Sequence, residues 1–281
     1  MKENRTRGTS RFPFELYAMY TEEKNIFVAC HWQEEVEILR VVQGKVELLI
    51  NGILNTLYKG DIAFINPGQL HQLQGLTSDT MYYAYVFPMT ALSFEQEDIV
   101  QIQIICPLLD KTLVFPSLIT KTDILYESVL FKIDQIININ RTKPYAFEML
   151  TKIYLLELIY LFKQQNRFLP RYCAKQADTC KNILTYIQEH YSERITISEL
   201  AAYSGLSGNY FSAFFKNHFG MTFTHYLTGY RIEQACTLLE TTDLSVTEIA
   251  LQTGFDTTSY FIQKFKKAMG MTPNRYRNRH M

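Results

Sequence analysis

The first third of the chain consists of short apolar segments separated by turn signals. Residues 36–42 and 46–50 are apolar and rich in β-branched side chains, and Gln43-Gly44 stands between them. Two such segments joined by a short glycine-containing connection predict a β-hairpin. Asn51-Gly52 is a stronger turn signal of the same kind. Turn signals at such regular intervals predict a small antiparallel β-barrel or sandwich, to which we assign residues 1–120.

Apolar positions change to a helical spacing after this point. Residues 124–137 and 146–162 contain few helix breakers, and the second segment is apolar on more than one face. A helix of that kind must be buried on several sides. One face is expected to cover the barrel, and the other packs either within this chain or against a second subunit. We assign residues 121–165 to this helical packing or dimerisation segment, and the polar stretch 166–178 to a linker.

The last third of the chain contains an internal repeat. Residues 210–222 recur 50 positions later, and small residues recur just upstream of each copy. The first copy contains Ala201, Gly205, Tyr210, Phe211, Phe215, Lys216, Gly220, Met221 and Thr222. The matching positions of the second copy are Ala250, Gly254, Tyr260, Phe261, Phe265, Lys266, Gly270, Met271 and Thr272. A match this rich at one spacing indicates a duplicated structural unit within residues 179–281.

Each copy has the pattern of a helix-turn-helix unit. The first predicts helices at 197–204 and 208–219, and the second predicts helices at 246–252 and 257–269. A glycine follows the first helix of each pair, where a left-handed backbone conformation ends the helix. One long helix, 223–241, is predicted to join the two units. Two matched units on one connecting helix point to binding of double-stranded DNA, since the second helix of such a unit enters the major groove.

The residues that would meet DNA are those left uncovered on the second helix of each unit. Asparagine and glutamine can pair with adenine, serine and threonine can pair with several base edges, and lysines are suited to phosphates. The candidates are Asn209, Ser212, Ala213, Lys216, Thr258, Ser259, Gln263, Lys266 and Lys267. Because neither predicted reading face contains an arginine, contacts between arginine and guanine are not expected to dominate recognition.

Composition narrows the possible environments and partners. The chain has 28 Lys and Arg against 28 Asp and Glu, so strong non-specific DNA binding is not expected. Basic residues nevertheless cluster between 264 and 279 with no acid among them, and such a cluster can neutralise phosphates. The five cysteines form no CxxC pair, which argues against a zinc knuckle or a disulfide framework. With no signal-peptide pattern and no apolar stretch of bilayer length, we expect a cytoplasmic protein.

The C-terminal repeat resembles the DNA-binding domain of the AraC/XylS family over about residues 180–279. The resemblance rests on Leu206–Gly220, Tyr226-Leu227, Tyr230-Arg231-Ile232, Ile249-Ala250, Gly254-Phe255, Ser259-Tyr260-Phe261, Phe265-Lys266-Lys267, Gly270-Met271-Thr272-Pro273 and Tyr276-Arg277. It implies a transcription regulator, more often an activator, that acts on promoter DNA and RNA polymerase and forms a homodimer. It also places base reading on Asn209, Ser212, Ala213, Ser259 and Gln263, although members often carry a basic residue at positions 213 and 263.

The front domain resembles the two cupin motifs. The resemblance rests on His31-Trp32-Gln33, Glu37, Gly44, Gly60-Asp61, Pro67-Gly68 and His71. In cupin enzymes these positions supply three histidines and one glutamate to a metal, and one of the histidine positions is Gln33 here. Glutamine is a poor ligand for a transition metal, so we expect no metal and no cofactor, although His31, Glu37 and His71 could still form a set of three ligands. The resemblance implies an α+β multidomain fold, with a jelly-roll barrel and helices followed by an all-α DNA-binding domain.

Such a barrel can hold a small effector, and its polar residues favour a polyol, a sugar or an amino-acid-like compound, with a sugar-like effector preferred. The pocket candidates are His31, Gln33, Glu37, His71, Tyr83, Tyr85 and Phe12. The tyrosines could stack on a sugar ring, and Phe12 could close the pocket. A non-enzymatic, effector-responsive regulator is therefore the leading hypothesis. The alternatives are a metal-dependent cupin enzyme with a DNA-binding appendage and a regulator whose barrel only dimerises.

Overall fold

The computed structural model describes residues 7–20, 26–170 and 177–280. The strands are β1 (Glu15–Tyr20), β2 (Phe27–His31), β3 (Val36–Gln43), β4 (Lys45–Ile50), β5 (Ile53–Tyr58), β6 (Ile62–Ile65), β7 (His71–Gly75), β8 (Met81–Phe87), β9 (Leu113–Val114), β10 (Leu118–Ile119) and β11 (Leu169–Pro170). The α-helices are α1 (Cys106–Leu109), α2 (Tyr126–Thr142), α3 (Phe147–Gln164), α4 (Ala177–His190), α5 (Ile197–Tyr203), α6 (Gly208–Phe219), α7 (Phe223–Thr241), α8 (Val246–Gln252), α9 (Thr258–Met269) and α10 (Pro273–His280). The α+β architecture agrees with the prediction.

The N-terminal strands form two antiparallel sheets that face each other. The larger sheet has the strand order β1-β8-β3-β6-β10, and the smaller has the order β2-β7-β4-β5. Within the described ranges no ladder joins the edges of the two sheets, so of the two predicted alternatives they form a sandwich and not a closed barrel. Turn signals predict how many strands form and that they run antiparallel, but they carry no information on whether the outer strands meet.

One of the two predicted hairpins is present and the other is wrong. Strands β4 and β5 pair from Ile50↔Ile53 outward, and their connection Asn51-Gly52 has both φ angles positive, at 48° and 84°. This is the backbone that a two-residue hairpin turn requires. Strand β3, by contrast, pairs with β6 and β8, while β4 pairs with β5 and β7. The Gln43-Gly44 turn therefore carries the chain from one sheet to the other.

Apolar clusters divide the molecule into layers. The face of the five-stranded sheet that bears Phe64 and Tyr85 packs against α2 and α3, where Phe162 is fully buried. Its opposite face, which bears Leu39, packs against the four-stranded sheet, which contributes Leu73. Helices α2 and α3 thus cover one side of the sandwich, and α3 contributes only one face to this core.

A further cluster joins the sandwich to the C-terminal helices. Ala29, Cys30 and Leu70, from the four-stranded sheet, share a core with α4, α5, α6 and the first half of α7. The second half of α7 forms a separate core with α8, α9 and α10. Part of the predicted linker takes part in the fold as well, since β11 pairs with β9. In the portion of the chain that is described, no helix has both the length and the apolar character needed to cross a membrane.

Candidate nucleic-acid interface and ligand cluster

The first helix-turn-helix unit is shaped by a capping box and a left-handed glycine. The Thr196 hydroxyl accepts a hydrogen bond from the Glu199 backbone N–H at 3.2 Å, and the Glu199 carboxylate accepts one from the Thr196 N–H at 2.7 Å. Helix α5 then stops before Gly205, whose φ is +67°. The next residue, Leu206, donates its backbone N–H to the carbonyl of buried Ala201 at 2.8 Å. The turn therefore sends α6 across α5 in the way the sequence predicts.

The second unit repeats this construction. Ser245 and Glu248 form the capping box, with hydrogen bonds of 3.2 and 2.7 Å. Gly254 has a φ of +81°, and the following Phe255 donates its N–H to the carbonyl of buried Ala250 at 3.0 Å. The correspondence extends to atomic contacts, so the duplicated unit predicted from the sequence is confirmed by the backbone.

Each reading helix buries one phenylalanine stripe and leaves the opposite face open. Phe211 and Phe215 of α6 have no exposed surface, and neither do Phe261 and Phe265 of α9. The candidate DNA-contacting residues that are exposed are Ser212, Ala213, Lys216, Ser259, Gln263, Lys266 and Lys267. Thr258 is half-buried, and the side chain of Asn209 lies outside the described part of the structure. Neither described reading face is covered by the sandwich.

Arg231 of α7 ties the two units together. Its Nε donates to the carbonyl of Tyr191 at 2.7 Å, and its Nη2 donates to the carbonyl of Glu193 at 2.6 Å. Both carbonyls belong to the loop between α4 and α5. The same guanidinium lies 6.0 Å from the ring centre of Phe255, in the turn of the second unit. Because one side chain contacts both units, their relative orientation depends on a specific set of hydrogen bonds. The sequence prediction did not include this role.

The N-terminal sandwich contains a buried polar cluster, which we define as His31, Gln33, Glu37 and His71. The Gln33 amide donates to the Glu37 carboxylate at 3.1 Å, and His71 Nε2 lies 3.3 Å from the same carboxylate oxygen. The two imidazole centres are 4.1 Å apart. Nδ1 of His31 donates to the Ala29 carbonyl at 2.8 Å, and Nδ1 of His71 donates to the Gln69 carbonyl at 3.1 Å. The structure thus brings together the four polar residues that the sequence singled out.

The three aromatic candidates do not join this cluster. Tyr83 and Tyr85 share one face of β8, as predicted, but that face packs against the helical layer. Phe12 packs there too, with its ring centre 4.4 Å from that of Phe14. Tyr82 instead faces the interior between the sheets, where burial and the nearby Glu37 carboxylate raise the pKa of its hydroxyl. The predicted stacking surface is therefore on the wrong side of the sheet.

Arg7 is the residue at this site that sequence reasoning missed. Its side chain is buried, and its Nη2 donates to the Gln33 Oε1 at 2.7 Å. Its Nη1 donates to the Tyr17 hydroxyl at 2.8 Å. Gln33 therefore links a guanidinium to a carboxylate, with its oxygen toward Arg7 and its nitrogen toward Glu37. The only sequence signal was the basic character of the N-terminal segment, which does not distinguish a buried arginine from a solvated one.

Three members of the cluster have the geometry of a metal site. His31, Glu37 and His71 are buried, and each offers one ligand atom within 4.8 Å of the other two. Since both Nδ1 atoms donate to carbonyls, Nε2 is the nitrogen that would bind a metal on each ring. Two imidazoles and a carboxylate suit a divalent transition metal. The buried guanidinium one amide away opposes this fit, because it repels a dication.

Strand β2 connects the polar cluster to the first helix-turn-helix unit. Next to His31 in the sequence, the carbonyl of Cys30 accepts a hydrogen bond of 2.6 Å from the hydroxyl of Tyr226 on α7. Both groups are buried, and burial raises the pKa of the Tyr226 hydroxyl well above its usual range. On the other side of His31, the ammonium of Lys181 on α4 lies 4.4 Å from the ring centre of Trp32. Both sequence neighbours of a cluster residue therefore contact the C-terminal domain.

Comparisons with known proteins agree with this anatomy. A family model described as a helix-turn-helix domain matches residues 200–279. The chain is 29% identical over 284 residues to a Bacillus subtilis (strain 168) protein named as the uncharacterized HTH-type transcriptional regulator YdeC, and the match covers 99% of this chain and 96% of that one.

Two solved structures extend the comparison. The chain is 42% identical to the C-terminal domain of the two-component response regulator yesN from Fusobacterium nucleatum, over 36% of this chain and 98% of that one, with a TM-score of 0.35. A ToxT variant from Vibrio cholerae matches over 99% of this chain and all of its own, at 14% identity and a TM-score of 0.52, which is a likeness of fold alone. The duplicated unit, the family model and the regulator among its relatives lead to one conclusion: the chain is a DNA-binding transcription regulator of the AraC type.

Proposed function

We propose that this protein regulates transcription in response to a small polar effector held in the polar cluster of its N-terminal domain. The observation that carries the proposal is the position of strand β2. The strand ends in His31 within the cluster, and its Cys30 carbonyl accepts the Tyr226 hydrogen bond from the connecting helix. A ligand that favours one position of β2 over another would therefore change the docking of the first helix-turn-helix unit.

In this proposal the two reading helices address successive major grooves of promoter DNA. Ser212 and Ala213 on α6, with Ser259 and Gln263 on α9, meet base edges, while Lys216, Lys266 and Lys267 meet phosphates. Asn209 and Thr258, at the starts of the same helices, complete the reading faces. Activation through RNA polymerase is the proposed outcome of binding, in line with the family resemblance.

A homodimer formed through α3 is part of the proposal. Met149 and Tyr160 have 66% and 60% of their surface exposed, and Ile153 has 37%, although the opposite face of the helix is buried. Large apolar residues exposed together on one helix are typical of a protein interface. Burial of this face against a second copy of the chain would account for a helix that is apolar almost all round.

The proposed effector is polar, but the argument for a sugar is weakened. That argument depended on stacking against Tyr83 and Tyr85, and both side chains lie on the far side of β8. What the cluster offers instead is a carboxylate, an amide and two imidazoles. These groups favour a ligand with several hydrogen-bond donors.

A metal-dependent enzyme is the second candidate, and the triad of His31, Glu37 and His71 favours it. The buried Arg7 guanidinium, joined to Glu37 through Gln33, disfavours a dication at that place. Metal analysis of the purified protein separates the two functions. Close to one transition-metal ion per chain would support the enzyme, and a ratio far below one would support the regulator.

The regulator proposal is tested by mapping the sites that the protein occupies across its genome and measuring affinity for those fragments in vitro. We expect a few specific sites upstream of transcription units, with two half-sites each, and a steep loss of affinity with salt. A protein that binds all fragments equally, at every salt concentration, would contradict the proposal.

A further inference from the structure

The N-terminal arm, which we define as residues 7–14, places a positive charge at the polar cluster. Arg7 is 7% exposed, Gln33 is 1% exposed and Glu37 is 6% exposed, so the guanidinium, the amide and the carboxylate are all withdrawn from water. The 2.7 Å hydrogen bond from Arg7 to Gln33 and the 3.1 Å hydrogen bond from Gln33 to Glu37 form a continuous relay from cation to anion. A buried carboxylate is costly without compensation, and Arg7 contributes a positive charge through the amide, in addition to His71 Nε2 at 3.3 Å.

Gly8 makes this insertion possible. Its φ is +51°, and an added Cβ would lie 2.3 Å from the Phe12 carbonyl oxygen and 2.6 Å from that of Phe14. The backbone around Gly8 is closed by the pair of hydrogen bonds between Thr9 and Phe12. A tight turn that admits only glycine therefore aims Arg7 into the sandwich.

Phe12 and Phe14 of the arm pack into the core beneath the helical layer, whereas Arg7 and Gly8 are held by hydrogen bonds. The Gly8 N–H donates to Glu15 at 2.8 Å, and Arg7 donates to the Tyr17 hydroxyl at 2.8 Å. Each such hydrogen bond contributes only modestly to net stability, since water can replace it. The cluster without Arg7 would keep a buried carboxylate, an amide oxygen directed outward and a space that fits a guanidinium.

We propose that the effector of this protein is a small organic cation with N–H donors, a guanidinium or a primary amine, which takes the place of Arg7. This inference rests on the proposed function, because it names the ligand class of the same polar cluster. A neutral polyol could fill the space left by Arg7 but would not replace its positive charge next to Gln33 and Glu37. A cation restores the relay through Gln33 and releases the arm.

The test measures binding of methylguanidinium by isothermal titration calorimetry, with methylurea as a neutral probe of the same shape. The full-length wild-type protein is compared with Arg7→Ala, which removes the internal competitor. We expect Arg7→Ala to bind methylguanidinium at least about ten-fold more tightly than the wild type. In the wild type Arg7 occupies the site, and the apparent affinity for a ligand is proportional to the fraction of protein molecules whose site is vacant. Methylurea should bind neither protein measurably.

Two further variants keep the result interpretable. Gly8→Ala retains Arg7 but cannot keep the tight turn, so it should also bind methylguanidinium more tightly than the wild type. Arg7→Ala combined with Glu37→Gln should lose this binding, because the compensating carboxylate is gone. Equal affinity of Arg7→Ala for methylguanidinium and methylurea, or unchanged binding after Glu37→Gln, would overturn the proposal. If Arg7→Ala does not fold, the comparison of Gly8→Ala with the wild type decides.

Specific DNA binding is measured on the same preparations. Normal DNA binding with no cation binding would remove the cationic effector and leave the regulator function intact. Cation binding that leaves DNA affinity unchanged would uphold the ligand class and count against the effector response.

Discussion

At the scale of single residues, the exposed side chains described on the reading helices are of two kinds, those suited to base edges and those suited to phosphates. Gln263 is exposed in the middle of α9, one turn before Lys267 and directly opposite the buried Phe261 and Phe265. An amide can recognise one base by two hydrogen bonds, whereas an ammonium acts on phosphate as a point charge. Residues of one helix face therefore have different expected effects on specificity.

Gln263→Ala should change sequence preference at one position of the second half-site. The expected loss is about 1–3 kcal/mol for the preferred base if the amide makes a two-fold base contact. Lys266→Ala is the matched control, since it should weaken all sequences alike and lower the salt slope by about one. Affinity measurements on a set of single-base operator variants distinguish them, and an identical profile for the two substitutions would show that Gln263 does not read a base.

Buried thiols give a second test at this scale. Burial raises the pKa of Cys30, Cys180 and Cys236 from 9.0 to about 12 in each case. These thiols should remain unreactive toward iodoacetamide at pH 8 in the folded protein and react once it is unfolded. These thiols ionise more readily in the unfolded chain than in the folded protein. The free energy of unfolding should therefore fall as the pH rises above about 9. Rapid alkylation of Cys30 in the native protein, detected by mass spectrometry, would contradict the burial of β2 against the C-terminal helices.

At the scale of elements, the first helix of each unit depends on its N-cap. Both caps use a hydroxyl and a glutamate three residues later, and this arrangement satisfies two backbone N–H groups that have no partner within the helix. The two short helices have only seven residues each, so their ends contribute a large share of their stability.

Thr196→Ala and Ser245→Ala should each lower the free energy of unfolding of the C-terminal domain by about 1 kcal/mol. Ser198→Ala is the matched control, since Ser198 is exposed inside α5 and is not the N-cap residue. Chemical denaturation followed by helical circular dichroism measures the difference. An equal effect of Ser198→Ala would mean that capping is not the cause.

The same caps predict a response to acid. Hydrogen bonds to Thr196 and Ser245 lower the pKa of Glu199 and Glu248 below the ordinary value of 4.5. A carboxyl whose folded pKa is depressed contributes stability at neutral pH that is lost as the pH falls through that pKa. Glu199→Gln removes the titrating carboxyl and should therefore reduce the acid sensitivity of unfolding below pH 4.5, and an unchanged pH profile would argue against the Glu199 contact.

Helix boundaries were more predictable than strand partners, for physical reasons. The repeat supplied two independent observations of each turn, and α6, α7 and α8 begin and end at the residues predicted. The sequence could not predict which layer each face of β8 contacts, because Tyr82 through Phe87 are all buried. The strand therefore shows no alternation between apolar buried and polar exposed positions. The relay from Arg7 joins residues distant in the sequence through a turn at Gly8, and local patterns carry no signal for it.

At the scale of the whole molecule, the N-terminal sandwich and the first helix-turn-helix unit share one core. Residues of β2 are buried with residues of α6 and α7. The β4–β5 turn lies close to the end of α6, since a Cβ added to Gly52 would lie 3.5 Å from the Asn217 carbonyl oxygen. The first helix-turn-helix unit is therefore held by the sandwich, whereas the second forms its own core.

Tyr226→Phe should loosen this docking while it preserves the packing of the ring. The Cys30 carbonyl would lose a buried hydrogen bond, with an expected cost of about 1–3 kcal/mol. Hydrogen exchange at the amides of β2 should become faster, and any response of DNA binding to effector should weaken. Tyr203→Phe is the control, since Tyr203 is 53% exposed, and comparable exchange in the two variants would show that Tyr226 does not hold the domains together.

The bridge formed by Arg231 sets a limit on the promoters this protein can use. The Arg231 guanidinium donates hydrogen bonds to the loop of one unit and packs on the turn of the other. The distance between the two reading helices is therefore fixed. B-form DNA makes one turn in about 10–10.5 base pairs, so five inserted base pairs would rotate the far half-site to the opposite side of the duplex. An operator for this protein should accordingly tolerate a changed base more readily than a changed length.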